Sequence, residues 1–470
     1  MRGLIRLAAL AAATALGGCA SFSEDGGIGA VVDITARTTG KEITTVRSDG
    51  DAERVRIATR RLLVRPLSTD AAVQVALFNN KGLQAAYHQL ALSEADMIEA
   101  SLPPNPTFSL MRISGDGALE AERQVAGDIL ALATLPLRSE IARERFHQAQ
   151  LKAALATLRL AADVRRAYVR VVAANELVAL LIEAQSAAEA TAKLAQKLGE
   201  TGALNKLDQA REQVFYAETT AELAVARRAA GSARERLVRL MGLWGDDLGF
   251  RLPDRLPALP RRPLTQPFVE TDAVGHRIDL QIARLELTAL ATSLHLTDAT
   301  RFVTLLDLAG VDRKTIEADG RVTRERGFDV QFQIPIFDGG EVRVRQAAET
   351  YNIAFNRLTE RAVTVRSEAR DAYRGYRATY DIAGHYAREV LPLRQIISDE
   401  MQLRYSGMQI DIFALLLEAR QRLASRRAAI DAKRDYFLAE AELSAAVNGG
   451  GAGGEDSPQQ SASALAASSD

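Results

Sequence analysis

Between Phe328 and Phe337 apolar and polar positions alternate: Phe328, Val330, Phe332, Ile334 and Ile336 are separated by Asp329, Gln331, Gln333 and Pro335. Period-two alternation puts the five apolar side chains on one face of a strand and the polar ones on the other. Ten residues fall within the roughly 9–11 that a tilted strand needs to cross a bilayer, although a strand of a soluble sandwich would carry the same pattern. A weaker counterpart occupies Val125, Gly127, Ile129, Ala131, Ala133, Leu135 and Leu137. The expected partner strands are Pro106–Ile113 and Phe302–Ala309, joined to them by the polar loops Gly115-Asp116-Gly117 and Ala318-Asp319-Gly320-Arg321.

Beyond each strand pair the period changes. Leu160, Val164, Ala167, Val171, Ala174, Val178 and Leu181 keep 4-3 spacing, as do Val344, Ala347, Tyr351, Ala354 and Leu358 and then Ala383, Tyr386, Val390, Leu393 and Ile397. This is the pattern of long helices with a coiled-coil seam. Arg138 to Leu198 contains neither Pro nor Gly, and some 60 residues of helix make a rod of about 90 Å. Gly202 and Gly407 mark tight turns, after which heptads resume at Val214, Ala217, Ala221 and Ala224 and at Ile412, Leu416, Ala419 and Leu423. Each long helix is thus expected to fold back as an antiparallel hairpin, with a local bend at Pro392. Many seam positions are Ala, which bury little area, so a hairpin needs neighbours.

The two halves repeat one design. Leu83-Gln84-Ala85-Ala86 is echoed by Leu280-Gln281-Ile282-Ala283, Leu135-Pro136-Leu137 by Ile334-Pro335-Ile336, and Gly202 by Gly407, at offsets of 197, 199 and 205 residues. A unit of that length is a half-molecule rather than a solenoid turn. The organisation expected is a polar, extended leader over 19–60, a first repeat over 61–252 (strands about 104–137, hairpin about 138–242) and a Pro-rich extended linker over 253–267. A second repeat follows over 268–448 (strands about 301–338, hairpin about 340–447), then a Gly- and Ser-rich disordered tail over 449–470. The fold class is mostly α with a small β part.

Composition adds limits. The chain has 470 residues, 5% aromatics and 59 basic against 60 acidic side chains, which gives no nucleic-acid surface. One cysteine, Cys19, ends the run Leu16-Gly17-Gly18-Cys19 behind Arg2, Arg6 and an apolar stretch. This reads as a signal peptide over 1–18 with a lipobox, the Cys19 thiol being the atom acylated. No later stretch approaches 18 consecutive apolar residues, so a membrane would be crossed only as a barrel. The five histidines are isolated, and no nucleophile elbow, phosphate-cradling loop or metal-ligand cluster is present. Neither enzymatic activity nor a cofactor is expected, apart from the covalent lipid on Cys19.

Two strand hairpins give four strands, whereas membrane barrels start at about eight and an open edge is not tolerated in lipid. The chain must therefore oligomerise, two copies giving eight strands and three giving twelve, enough for a pore.

Thr69-Asp70-Ala71-Ala72-Val73-Gln74-Val75-Ala76-Leu77-Phe78-Asn79-Asn80, Leu83-Gln84, Ala95-Asp96 through Pro104-Asn105-Pro106, and Ile334-Pro335-Ile336-Phe337-Asp338-Gly339-Gly340 resemble the TolC family of outer-membrane efflux proteins. Val390-Leu391-Pro392-Leu393 and Tyr405-Ser406-Gly407 fit the same pattern. The resemblance covers roughly residues 60 to 447, and the lipobox matches the lipoprotein branch. It implies a homotrimer, a twelve-stranded outer-membrane barrel with a periplasmic α-barrel, and docking to a periplasmic adaptor and an inner-membrane pump. The implied function is export of small molecules or metal ions. It also implies a strand-to-helix turn at Pro335, Asp338, Gly339 and Gly340. The hairpin tips would form the constriction, with Asp208 and Asn205 at the first turn and Asp411 and Gln409 at the second, where Ala414 and Leu417 depart from the family's two acids. A port for type I protein secretion would account for the same features. A lipid-anchored coiled-coil tether accounts for the lipobox and heptads but not for the alternating strands or the Pro-Ile-Phe-Asp-Gly-Gly turn.

Overall fold

A computed structural model describes residues 21–115 and 117–449. Cys19, the signal segment and the tail from 450 lie outside the described residues.

The elements in order are α1 (Gly29–Thr39), α2 (Asp49–Leu63), α3 (Thr69–Asn79), α4 (Lys81–Ser101), β1 (Thr107–Gly115), β2 (Ala118–Asp128), α5 (Ile129–Glu200) and α6 (Lys206–Met241). The second half follows with α7 (Val269–His276), α8 (Ile278–Ala299), β3 (Leu305–Ile316), β4 (Val322–Gln333), α9 (Glu341–His385), α10 (Leu391–Ser406) and α11 (Ile412–Asn448). The order helix pair, strand pair, helical hairpin occurs twice, as the repeat implies.

Three expectations are corrected. The leader is not extended: it holds α1 and α2. Ser48-Asp49-Gly50-Asp51, which looks like a loop, is the N-terminus of α2, where the Ser48 and Asp51 side chains reciprocally cap the backbone. The first-half strand expected over Val125–Leu137 stops at Asp128, whose carboxylate accepts from Ala131 N at 2.7 Å and starts α5. Pro136 therefore lies inside a helix, unlike Pro335. The second-half strand ends at Gln333, four residues short of Phe337, and its partner β3 begins at Leu305 rather than Phe302.

Two compact units form. Among the described residues, one takes 21–31 with Tyr87–Ala153 and Asp279–Arg361, and the other takes Val32–Ala86, Ala154–Ile278 and 362–449. Each unit draws on both repeats.

In the first unit the four strands make one antiparallel sheet in the order β1-β2-β3-β4. The halves join at β2 and β3, where Val125 faces Gly310 and Glu122 faces Arg313. β1 and β4 are open edges.

The second unit holds the core. Val73, Val75, Ala76, Leu77 and Leu237 are fully buried, as are Val164 and Val171 of the α5 seam. The Pro-rich linker is pinned by tyrosines. Tyr380 donates to Pro260 O at 3.0 Å, Leu264 N donates to the Tyr376 hydroxyl at 2.9 Å, and Tyr376, Tyr380 and Tyr436 pack with ring centroids 5.6 and 5.7 Å apart. The first repeat uses the same device, with Tyr168 donating to Leu67 O at 2.8 Å. Between α9 and α10 the chain makes one π turn, Tyr386–Val390, directly before Pro392. The wider turn absorbs the hydrogen bond that the proline nitrogen cannot make.

Candidate functional site

The sheet has two chemically distinct faces, fixed by its register. Cross-strand partners share a face, so Phe108, Val125, Gly310 and Phe328 lie together, as do Leu308 with Val330 and Leu306 with Phe332. Phe108, Val125, Leu308, Phe328, Val330 and Phe332 are all exposed in the single chain. The opposite face carries Gln124, Gln331, Gln333, Thr315 and Thr323. Charge is segregated as well. The polar face holds Glu120, Glu122, Asp128, Asp307, Glu325 and Asp329 against Arg313 alone, six acids to one base. Arg313 pairs with Glu120 at 3.0 Å and Glu122 at 2.7 Å. The apolar face holds Arg112, Arg123, Lys314, Arg324 and Arg326 against Asp312 alone.

The turn that leaves β4 is closed by hydrogen bonds from three successive backbone amides. Pro335 O accepts from Gly339 N at 2.8 Å, the Asp338 carboxylate accepts from Gly340 N at 3.1 Å, and Asp338 O accepts from Glu341 N at 3.1 Å. Gly339 and Gly340 have φ of 58° and 75°. A Cβ on Gly340 would lie 2.1 Å from Arg301 O, so glycine is required there by both backbone and space.

The hairpin turns belong to the second unit. At the first, Gly202 has φ of 75° and Asn205 caps α6, accepting from Asp208 N at 2.9 Å. Asp208 in turn accepts from Asn205 Nδ2 at 2.7 Å and pairs with Arg211 at 2.9 Å. At the second, Gly407 closes α10 with φ of −81°, and the left-handed residue is the exposed Met408 at 55°. Gln409 N donates to Arg404 O at 2.9 Å, and Asp411 caps α11, accepting from Ala414 N at 2.8 Å. Capping aligns the repeats: Asp411 corresponds to Asn205 and Ala414 to Asp208, each pair 206 residues apart. The turns bring Asn205 together with Asp208, while Asp411 carries its charge at the cap itself.

The same offset exposes residues that pattern reading missed. Glu212 and Glu418 are 206 residues apart and both buried, at 4% and 6% exposure. Arg420 bonds Glu212 at 2.8 Å and Arg394 bonds Glu418 at 3.0 Å. The first pair ties the second repeat's α11 to the first repeat's α6, with Arg420 also over the Phe215 ring at 4.2 Å. Arg426–Glu183 and Arg427–Glu222, at 3.0 and 3.3 Å, continue this ionic lacing. The repeat period is the signal that could have found the two glutamates. Among the described residues no group of His, Cys, Asp and Glu could hold a metal ion, and no helix is long and apolar enough to cross a membrane.

An open four-stranded sheet with one apolar and one polar face, joined to duplicated long helical hairpins, is the fold of the TolC-type outer-membrane channels, and this chain has it. It superposes on the outer-membrane channel OprN with a TM-score of 0.68 at 18% identity, covering 89% of this chain and 96% of that one. With the Campylobacter jejuni CmeC outer membrane channel the TM-score is 0.66 at 16% identity, covering 90% and 92%. In sequence it is 27% identical over 206 residues to the cobalt-zinc-cadmium resistance protein CzcC of Cupriavidus metallidurans, 42% of this chain and 47% of that protein. The chain thus spans about half the length of the curated relative it matches. No protein-family model matches it.

Proposed function

We propose that three copies pair β1 of one chain with β4 of the next to close a twelve-stranded barrel in the outer membrane. Their helical hairpins then form the periplasmic duct of a tripartite efflux system, fed by an inner-membrane pump through a periplasmic adaptor. The observation that carries this reading is the sheet: two unpaired edges, one apolar face and one polar face. Lipid accepts such a sheet only when its edges are paired, and twelve strands leave room for a lumen. The apolar residues that the second repeat's long helices leave exposed, among them Ile353, Val363, Ile382, Leu393 and Ile396, supply the surface for packing hairpins side by side.

The cargo we assign is cationic. Six acids against one arginine on the inner face lower the energy of a positive ion in transit, and a cobalt-zinc-cadmium resistance protein is a relative. Asp208, Asn205, Asp411 and Gln409 line the constriction at the hairpin tips, and acylation of Cys19 anchors the chain to the same membrane.

Planar-bilayer recording tests the pore. The purified oligomer is expected to conduct with cation preference, and an oligomer that forms no pore sinks the reading. A deletion strain is expected to become more sensitive to cobalt, zinc or cadmium. Unchanged sensitivity together with loss of a secreted protein would instead make the chain a secretion port. A Cys19→Ala variant is expected to lose labelling by radioactive palmitate.

A further inference from the structure

We infer that the outward face of the sheet carries a binding band for the phosphate groups of membrane lipids, formed by Arg112, Arg123 and Lys314 with Arg324 and Arg326. This rests on the proposal that the sheet is a barrel wall. Five cations against one acid stand on the same face as the apolar residues, a composition that soluble packing does not call for and a bilayer core does not accept.

Their placement along the strands resolves the conflict. On the outward face of β4 the apolar positions run from Phe332 through Val330 to Phe328, about 14 Å at 3.4 Å per residue, and the exposed Ile334, Ile336 and Phe337 follow beyond the end of the strand. Past Phe328 the next position on this face is Arg326 and the one after it Arg324. The register sets Arg326 beside Asp312, Arg123 and Leu110, and Arg324 beside Lys314, Ala121 and Arg112. The cations thus fill two adjacent rows directly beyond the phenylalanine row of Phe108 and Phe328. Arg112, Arg324 and Arg326 lie within four residues of the loop ends of β1 and β4, Gly115 and Val322, where a barrel wall meets headgroups rather than acyl chains.

The cations are also available. Asp312 accepts from Arg324 at 2.6 Å and from Arg326 at 3.0 Å, which uses the one acid on the face. The side chains of Arg112, Arg123 and Lys314 make no hydrogen bond or ion pair among the described residues, and all three are exposed. Guanidinium groups offer two parallel donors to a phosphate, and the ammonium adds a point charge. Because cross-strand neighbours lie only about 5 Å apart, two strands can reach one headgroup.

The test uses the full-length oligomer in nanodiscs of phosphatidylcholine, alone or doped with bisphosphoryl lipid A, with bound lipid counted by native mass spectrometry. The wild type is expected to retain lipid A in preference to phosphatidylcholine. The triple variant R112Q/R123Q/K314Q is expected to lose about fivefold in that preference for each cation removed, with less effect at high salt. Removing three exposed cations elsewhere, in R345Q/R357Q/R374Q, is expected to leave it unchanged. An unchanged preference in the first variant, or equal loss in both, overturns the inference. Displacement of lipid A by millimolar inorganic phosphate also overturns it, since the band would then be a free-anion site. A wild type that conducts in planar bilayers yet shows no lipid preference overturns this inference and leaves the pore standing. One that conducts in neither lipid sinks the barrel, and this inference with it.

Discussion

Arg277 stands where the first repeat has Asn80, 197 residues earlier, and both side chains reach a carbonyl at the end of their own repeat's last helix. Asn80 donates to Leu240 O at 2.9 Å and Arg277 to Ala446 O at 3.4 Å. The second repeat adds charge, because Arg277 is 2% exposed and paired with Glu368. Arg277→Met strands that carboxylate and is expected to cost about 3 kcal/mol, whereas Asn80→Ala should cost only about 1 kcal/mol. Thermal unfolding followed by circular dichroism checks the ranking. Adding Glu368→Leu to Arg277→Met is expected to recover part of the loss, and a double variant less stable than the single one would contradict the pairing.

Arg420 and Glu212 hold α11 to α6 near the hairpin turns. Glu212→Gln and Arg420→Gln each remove half of an ion pair, buried on its glutamate side, that joins the repeats. Either is expected to raise open probability in single-channel recordings, and the swap Glu212→Arg with Arg420→Glu to restore closure in part. Wild-type gating in both single variants would show that the pair only stabilises the fold.

Asp411 has two separable roles, a cap and a charge. Asp411→Ser keeps an acceptor for Ala414 N and should leave stability unchanged, while Asp411→Ala should cost about 1 kcal/mol. If Asp411 faces the lumen, both variants reduce cation selectivity by a similar amount. Loss of selectivity in the alanine variant alone would assign the residue to capping.

Glu440 gives a pH signature. Burial raises its pKa above 4.5, and the Tyr436 hydroxyl, which donates to it at 3.3 Å, does not cancel the effect. A carboxyl raised in the folded state binds its proton more tightly there, so stability falls as pH rises from the unfolded to the folded pKa, and the penalty is full above the folded pKa. Glu440→Gln should therefore melt higher than wild type above the folded pKa, with the advantage fading as pH falls through that raised value and gone below the unfolded value of about 4.3. A constant difference across that range would assign the gain to packing.

The turn glycines should differ. Gly340→Ala drives a Cβ into the Arg301 carbonyl and is expected to abolish assembly of the oligomer. Gly339→Ala meets nothing within 4 Å and should cost only about 1 kcal/mol for its positive φ. Oligomer yield in membrane extracts separates the two.

Much of this architecture was legible because it rests on period and punctuation. The alternation of β4, the heptads of α5 and the turns at Gly202 and Gly407 follow from spacing alone. Val125–Leu137 was misread because Ala131 and Ala133 fit a period of two but favour a helix, and the capping Asp128 outweighs the alternation. The helix α2 was hidden by Gly50 and by an aspartate at the capping-box position where glutamate is usual. Met408 rather than Gly407 takes the left-handed conformation, a choice that the residue types argue against. Glu212 and Glu418 could not be picked out by polarity among so many charged helix positions, since their burial comes from contacts between distant segments.

The unpaired β1 and β4 edges make this sheet a poor monomer by construction. A single chain entering lipid would bring two rows of unsatisfied backbone groups, so insertion and assembly become one event. The rate of channel appearance should then rise faster than linearly with the supply of chains. In the proposed trimer, one subunit with a blocked edge would disable the two sound partners it joined, so a defective copy of the gene would act dominantly over an intact one.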